Sequence, residues 1–152
     1  MRAVVQRVAS ARVDIAGQTV GTIERGLLVY LGFGRGDTAE DRAWALSKIV
    51  ALRIFEDDAG KMNQSVQDVG GALLLVSQFT LYADVRRGRR PSFDDAMPPA
   101  EAEAAYDAAV TEARASGLRV ETGRFGADMK VSSLNDGPVT IWIDSAVRTK
   151  PA

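Results

Sequence analysis

The chain has 152 residues and contains neither cysteine nor histidine. The absence of cysteine excludes disulfides, thiolate nucleophiles and cysteine-ligated zinc, and the absence of histidine excludes a Ser-His-Asp triad. Any catalysis must therefore proceed without the usual base of neutral pH. No EF-hand loop and no HExxH motif is present, so we expect neither a metal nor another cofactor.

The sequence also lacks an excess of charge of either sign and long apolar runs. There are 19 basic and 20 acidic residues, so the composition as a whole gives no sign of nucleic-acid binding. No apolar stretch approaches the roughly 18 residues of a membrane span, and residues 1–7 begin a strand-like pattern rather than a cleavable leader. We expect a soluble, cytoplasmic protein without membrane contacts and, at this length, a single domain over residues 1–152.

Hydrophobic periodicity predicts a mixed α/β fold with about seven or eight strands and two main helices. Residues 1–23 are typical of a β-meander, and residues 27–33 of a central strand covered on both faces. Residues 72–83 are typical of an apolar strand with polar interruptions. Shorter strands are predicted at residues 52–55, 118–122, 129–134 and 139–143.

The two helices have recognisable ends. The first is predicted over residues 38–50, with Asp37 and Glu40 resembling a capping box at its start. The second is predicted from the proline pair at residues 98–99 to Ser116, because proline favours the first turn of a helix. After the last strand, residues 146–152 are expected to form a loose tail.

Three hydrogen-bonding side chains interrupt the apolar strand at its end: Ser77, Gln78 and Thr80. Buried polar groups need partners, so either the strand has reached the sheet edge and meets water, or these side chains line a pocket. Thr80 is a poor nucleophile because no adjacent base is visible in the sequence. If a site lies here, Thr80 is more suited to orienting a ligand than to attacking it.

The segment Asn135, Asp136, Gly137 and Pro138 consists of typical turn residues and predicts a hairpin turn. A second interpretation stays open, because an X–Pro bond can be cis and glycine has no Cβ to keep a ligand away from the backbone. A rigid Gly-Pro loop can then act as a selectivity filter made of main chain.

A basic cluster surrounds Gly88 and consists of Arg86, Arg87, Arg89 and Arg90. Such a cluster is either a solvated surface or a set of phosphate ligands, since arginine binds phosphate in a bidentate manner. The acidic groups at residues 56–58 and 94–95 lie in predicted turns, and Trp44 and Trp142 are expected to be core or interface anchors.

Taken together and in order, several motifs resemble the D-aminoacyl-tRNA deacylases nearly from end to end. The motifs are MRAVVQRV at residues 1–8, LRIFED at 52–57, GKMN at 60–63, SQFTLYA at 77–83, GRRPSF at 88–93, FGADM at 125–129 and NDGPVT at 135–140. Each is weak alone, but their common order and spacing identify the family. Ser132 and Ser133 and the alanine-rich second helix depart from the family pattern outside these motifs.

The resemblance implies a β-sheet or barrel-like domain that hydrolyses the ester joining a D-amino acid to the terminal adenosine of tRNA. Glycine mischarged on tRNA-Ala is expected to be a further substrate. The family implies a homodimer, in which the Gly137-Pro138 loop, with its bond cis, enters the pocket of the partner and rejects L-amino acids. The expected partners are thus the 3′ aminoacyl end of tRNA and a second copy of the chain.

The resemblance also assigns roles to single residues. Ser77, Gln78, Phe79 and Thr80 are expected to form the catalytic pocket wall, with the Phe79 and Thr80 backbone amides contacting the oxyanion or the adenosine. The 2′-hydroxyl of the tRNA is expected to help activate water, which would take the place of a side-chain base.

Outside that wall, Met129 is expected to pack near the adenine and Arg7 to hold the Gly-Pro loop. The arginines 86, 87, 89 and 90 are expected to meet the tRNA backbone. Two alternatives stay open: a tRNA-binding or structural module without activity, and a relative that tolerates a small L-amino acid through a trans bond between Gly137 and Pro138.

Overall fold

A computed structural model describes residues 1–148. Within them the chain forms eight strands and two α-helices, which confirms the mixed α/β class predicted from the sequence. The elements are β1 Arg2–Ile15, β2 Gln18–Ile23, β3 Gly26–Gly32, α1 Ala39–Ala51, β4 Phe55–Glu56, β5 Met62–Gln64, β6 Ala72–Ser77, α2 Pro99–Ala115, β7 Arg119–Thr122 and β8 Lys130–Asp144. Two 3₁₀ turns span Phe79–Tyr82 and Ser145–Val147.

The main sheet is mixed and curls into a barrel-like shape. Its order is β2-β1-β3-β6-β7, with β8 paired along the other side of β1. β1 is antiparallel to β2, β3 and β8, whereas β3, β6 and β7 run parallel to one another. The outer strands β2 and β7 approach each other, and Arg119 on β7 donates a hydrogen bond of 3.1 Å to the Thr22 carbonyl on β2.

The core lies on both faces of β3 and β6. Alternate residues such as Leu27 and Leu75 pack toward the two helices, while Leu28 and Leu74 point into the barrel interior, and all four are fully buried. This alternation follows from the period of two along a strand. The prediction of a central, doubly covered strand at residues 27–33 is confirmed, since β3 lies in the middle of the sheet.

The start of α1 differs from the prediction by one residue. Thr38, not Asp37, is the N-cap, and it forms a reciprocal capping box with Asp41 rather than with Glu40. Thr38 has the extended backbone of an N-cap, and Asp41 lies three residues later, as the box requires. Asp37 instead accepts a hydrogen bond of 2.6 Å from the Gly34 backbone and pairs with the Met1 ammonium. The predicted ends of α2 are confirmed to within one residue, because the helix spans Pro99–Ala115.

The segment at residues 135–138 is not a hairpin turn, so that prediction was wrong. Residues on both sides of it pair with β1 in the same antiparallel sense: Val131 lies opposite Val13, and Trp142 lies opposite Val4. The chain therefore continues as one strand, β8, with register shifts around residues 135–140. Turn-forming residues indicate only a local departure from strand geometry. The same residue types occur at an irregularity within a strand and at a reversal of the chain.

Three smaller differences concern strand length. Within the predicted β-meander the first strand is long and spans Arg2–Ile15, and of residues 52–55 only Phe55 enters a short strand. β6 ends at Ser77, and residues 79–82 form a 3₁₀ turn instead of continuing the strand. The expected tail begins within the 3₁₀ turn Ser145–Val147, of which Ser145 is buried, and Arg148 in the tail pairs with Asp41 at 3.1 Å. Residues 149–152 lie outside the described residues. No helix among residues 1–148 is long and apolar enough to cross a membrane.

Candidate active site

A pocket of about 590 Å³ opens where the parallel strands β3, β6 and β7 end. Ligand sites in parallel sheets form at the carboxyl ends of the strands, because the following loops converge there. Its walls come from the end of β3, the end of β6, the start of α2 and the loop after β7. The lining residues used below are Phe33, Arg35, Ser77, Gln78, Phe79, Phe93, Pro98, Ala102, Phe125, Asp128 and Met129.

The lining is mostly aromatic and apolar, with few polar groups. The rings of Phe79 and Phe93 meet edge to face with centroids 4.9 Å apart. Among the described residues, Asp128 is the one carboxylate in the lining, and it pairs with Lys130 at 3.0 Å. A pocket of this kind suits a planar ring with polar edges. It offers no histidine to activate water.

The 3₁₀ turn Phe79–Tyr82 presents backbone donors beside this pocket. It follows β6 directly, and the Gln78 N–H is bound to the Leu31 carbonyl at 2.7 Å. The N–H groups of Phe79 and Thr80 have no acceptor within residues 1–148. The first N–H groups of a helical turn lack partners inside the turn, so these two are free to donate to an anionic oxygen.

Thr80 differs from its neighbours in the predicted site. Its side chain is exposed and does not line the pocket. Its hydroxyl accepts a hydrogen bond of 2.5 Å from the Gln78 amide. The side chain of Thr80 thus lies beside Gln78 on the outer side of the turn, and the backbone N–H is the group of this residue that faces no protein acceptor.

A second cluster forms around Arg7, which is 7% exposed. Its guanidinium donates to the Asp136 carbonyl at 2.8 Å and to the Ile54 carbonyl at 2.7 Å. Both bonds carry a full charge on the donor and are therefore among the stronger hydrogen bonds of a protein. Arg7 thus ties the segment before Pro138 to the body of the domain.

The Gly137-Pro138 loop itself is exposed, and its peptide bond is cis. Gly137 has φ +143°, a conformation that side chains disfavour. Behind the loop, the Asn135 side chain accepts a hydrogen bond of 3.0 Å from the Val139 N–H. Neither Gly137 nor Pro138 lines the pocket of its own chain.

The basic cluster occupies a third position, in the loop that leads to Phe93. Arg86 forms a close pair with Asp84 at 2.6 Å, and this hydrogen bond lowers the pKa of the Asp84 carboxyl to about 2. Arg87, Arg89 and Arg90 are exposed, and none of them forms an ion pair within residues 1–148.

The structure therefore separates the predicted site residues into three groups. The pocket brings together Ser77, Gln78, Phe79 and Met129. Arg7 contacts the Gly-Pro loop elsewhere, and the basic cluster lies in its own loop. Phe33, Arg35 and Ala102 also line the pocket and were not predicted from the sequence as site residues. Phe33 could have been predicted from the parallel strands. Each βα crossover places the loop after its strand at the same edge of the sheet, and Phe33 lies in such a loop.

Within residues 1–148, no group of three or more histidine, cysteine, aspartate or glutamate side chains is arranged to hold a metal ion. The fold and the pocket define a small mixed α/β domain whose ligand site is built from apolar rings and free backbone donors.

The comparison with known proteins identifies the family. The family model for D-Tyr-tRNA(Tyr) deacylase matches residues 4–144. The chain belongs to this family of D-aminoacyl-tRNA deacylases, so the expectation of an enzyme of this class is confirmed.

Relatives named D-aminoacyl-tRNA deacylase match over nearly the whole chain. The one from Sorangium cellulosum is 59% identical and covers 95% of this chain and 97% of its own. The one from Thermotoga petrophila is 57% identical and covers 96% and 98%. These relatives support the same assignment as the family model.

Two solved structures share the fold. A protein described as c-Myc DNA Unwinding Element Binding Protein is 41% identical, with a TM-score of 0.90 and full coverage of both chains. A probable eukaryotic D-amino acid tRNA deacylase is 21% identical, with a TM-score of 0.81 and coverage of 93% and 97%, and it shows the fold alone. The barrel-like α/β architecture is thus common to both.

Proposed function

We propose that this protein hydrolyses the ester between a D-amino acid, or glycine mischarged on tRNA-Ala, and the terminal adenosine of tRNA. Family membership supports the reaction class. The observation that carries the proposal is a pair of backbone N–H groups, those of Phe79 and Thr80, which have no acceptor among residues 1–148 and lie beside a pocket suited to a planar ring. Backbone donors in such a position stabilise the oxyanion that forms when water attacks an ester carbonyl.

The chemistry proposed needs no side-chain base. Water attacks the ester carbonyl carbon, and the negative charge moves to the carbonyl oxygen, which the Phe79 and Thr80 N–H groups receive. The bond to the ribose 3′ oxygen then breaks, and that oxygen takes up the proton that the water gives up. The adjacent 2′-hydroxyl of the substrate orients the water and relays this proton, which fits a chain without histidine.

Selectivity for D-amino acids is proposed to come from the Gly137-Pro138 loop of a partner subunit. The loop is exposed and lies outside the pocket of its own chain, so only a second copy could bring it there. Arg7 holds the loop in place through the Asp136 carbonyl. A rigid main-chain wall collides with one substituent at the chiral carbon and admits hydrogen, so glycine passes the same filter.

The homodimer that this requires is supported by the outer surface of β8. Trp142 is 53% exposed and Leu134 is 62% exposed, although both are large apolar side chains. Both lie on β8, the strand that carries the Gly-Pro loop, and large exposed apolar side chains on this strand favour an interface. A two-fold arrangement would exchange the loops reciprocally and produce two equivalent sites.

The tRNA backbone is proposed to contact the loop that bears Arg86, Arg87, Arg89 and Arg90. Three of these arginines have no carboxylate partner among the described residues, and the loop leads to Phe93 in the pocket wall. The enzyme is expected to act in the cytoplasm, where charged tRNA is used, and to need no metal.

The decisive experiment is deacylation of matched D- and L-tyrosyl-tRNA and of glycyl-tRNA-Ala. We expect hydrolysis of the D and glycyl esters and protection of the L ester. The same tRNA ending in 2′-deoxyadenosine, charged at the 3′ position, tests the role of the 2′-hydroxyl and should be hydrolysed far more slowly. Binding of D-tyrosyl-tRNA without hydrolysis would reduce the protein to a binding module, and equal rates for D and L esters would overturn the selectivity proposal.

A further inference from the structure

The turn that carries the proposed oxyanion donors is held at its far end by two side chains from other parts of the fold. Arg2, at the start of β1, donates a hydrogen bond of 2.9 Å to the Leu81 carbonyl. Tyr82 donates its hydroxyl to the Asp37 carboxylate at 3.1 Å. Neither Arg2 nor Tyr82 was predicted from the sequence as a site residue.

Arg2 is itself fixed by several neighbours. Its guanidinium lies 4.4 Å from the centroid of the Tyr82 ring and pairs with Asp144 at 3.2 Å. An arginine that stacks on an aromatic ring and binds a carboxylate loses most of its freedom to move. Arg2 thus fixes two consecutive residues of the turn, through the Leu81 carbonyl and the ring of Tyr82.

Asp37 is equally well held. Besides the Tyr82 hydroxyl it accepts the Gly34 N–H at 2.6 Å and pairs with the Met1 ammonium. Burial and the neighbouring Asp37 charge raise the pKa of Tyr82 well above its usual range. The phenol therefore stays protonated and keeps donating to Asp37 throughout the neutral range.

The turn also packs directly on the backbone at the end of β3, which leaves it little freedom. A Cβ at Gly32 would lie 2.9 Å from the Gln78 carbonyl oxygen and 3.0 Å from the Leu81 Cβ. A Cβ at Gly34 would overlap the ring of Tyr82. Glycine at these two places permits the close approach. The Gln78 N–H bond to Leu31 fixes the other end of the turn.

From this geometry we infer that Arg2 and Tyr82 are positioning residues that aim the Phe79 and Thr80 N–H groups at the reacting carbonyl oxygen. The inference rests on the proposed hydrolytic function. The turn has only four residues, so a displacement at Leu81 or Tyr82 is passed on to the donors at its start. Neither side chain lines the pocket, and both act through the turn rather than on the substrate.

The test is steady-state kinetics on D-tyrosyl-tRNA with Tyr82→Phe, which removes the hydroxyl and keeps the ring. We expect kcat to fall about tenfold because misaligned donors lose transition-state contact, with KM unchanged. Tyr30→Phe is the matched control, since the Tyr30 hydroxyl makes no hydrogen bond within residues 1–148 and the residue lies outside the pocket lining. Its kinetics should equal those of the wild type.

Substitutions at Arg2 provide a second, independent test of the inference. Arg2→Met should lower kcat at constant KM, and Arg2→Lys, which can still donate to the Leu81 carbonyl, should recover part of the loss. A kcat equal to wild type in Tyr82→Phe would overturn the inference while leaving the proposed function intact. So would a lower kcat together with a higher KM and a lower melting temperature in both variants, which would indicate a structural role. A wild-type protein inactive on D-tyrosyl-tRNA would overturn the proposed function together with the inference.

Discussion

Arg7 offers the sharpest test of how the fold holds its proposed selectivity loop. Its guanidinium is buried and bridges two backbone carbonyls that are distant in sequence, those of Ile54 and Asp136. Arg7→Met keeps a long side chain of similar reach and removes both donors. Two carbonyl groups, the buried one of Ile54 and the partly buried one of Asp136, then lose a charged partner at the same time.

The magnitude follows from these two bonds. A hydrogen bond to a charged group contributes about 1.5–3 kcal/mol, and the apolar Met side chain recovers part of that by its own burial. We therefore expect Arg7→Met to lower the free energy of unfolding by about 3 kcal/mol, which corresponds to roughly 10 °C in melting temperature for a domain of this size. Arg7→Lys should lie between, because one ammonium group reaches only one of the two carbonyls.

Urea unfolding measures the stability, and deacylation of D- and L-tyrosyl-tRNA at a temperature where both variants are folded measures the selectivity. The preference for the D ester over the L ester should fall about a hundredfold in Arg7→Met, since a displacement of the excluding wall by about 1 Å is enough for such a loss. Arg12→Met is the matched control. The Arg12 pair with Asp14 at 2.9 Å is largely exposed, so its loss should cost less than about 0.5 kcal/mol.

Two results would refute this reasoning. If Arg7→Met unfolds at the same urea concentration as Arg12→Met, the two backbone contacts do not hold the loop to the domain. If Arg7→Met is destabilised as expected but keeps the wild-type preference for the D ester over the L ester, the position of the loop does not govern selectivity.

The remaining predictions concern the pocket turn, the basic loop and the start of α1. Thr80→Ala should keep substantial deacylase activity, because the hydroxyl lies outside the pocket and only the backbone N–H is assigned a role. Replacing both Arg89 and Arg90 by serine should weaken tRNA binding and lower the slope of log K against log salt by about 1.4–1.8. Thr38→Ala should cost about 1 kcal/mol in urea unfolding through loss of the N-cap.

Each of these has a contrary outcome. Complete loss of activity in a folded, tRNA-binding Thr80→Ala would make the hydroxyl part of the chemistry. Unchanged affinity and salt slope in the arginine double variant, compared with the control Arg12→Ser, would move the RNA surface elsewhere. A Thr38→Ala protein as stable as the wild type would refute the N-cap. A destabilisation equal to that of Ala43→Gly, a substitution inside the same helix, would agree with it.

Much of the fold could be predicted from local patterns. The doubly covered strand β3 was predictable because its apolar run has no polar alternation, and α2 because proline and glycine mark its ends. The change from strand to 3₁₀ turn after Ser77 was not predictable, since Phe79, Leu81 and Tyr82 continue an apolar pattern that suits either conformation.

The sequence by itself determined the class of the fold, the family through its ordered motifs, and the absence of histidine and cysteine chemistry. Only the tertiary structure decided that the Gly-Pro segment lies within one continuous strand, because pairing with β1 on both sides is a long-range contact. It also decided that the Phe79 and Thr80 N–H groups have no acceptor in the described part of the chain and that Arg2 and Tyr82 hold their turn. Hydrogen bonds between residues about 40 to 80 positions apart depend on packing, which no local pattern encodes.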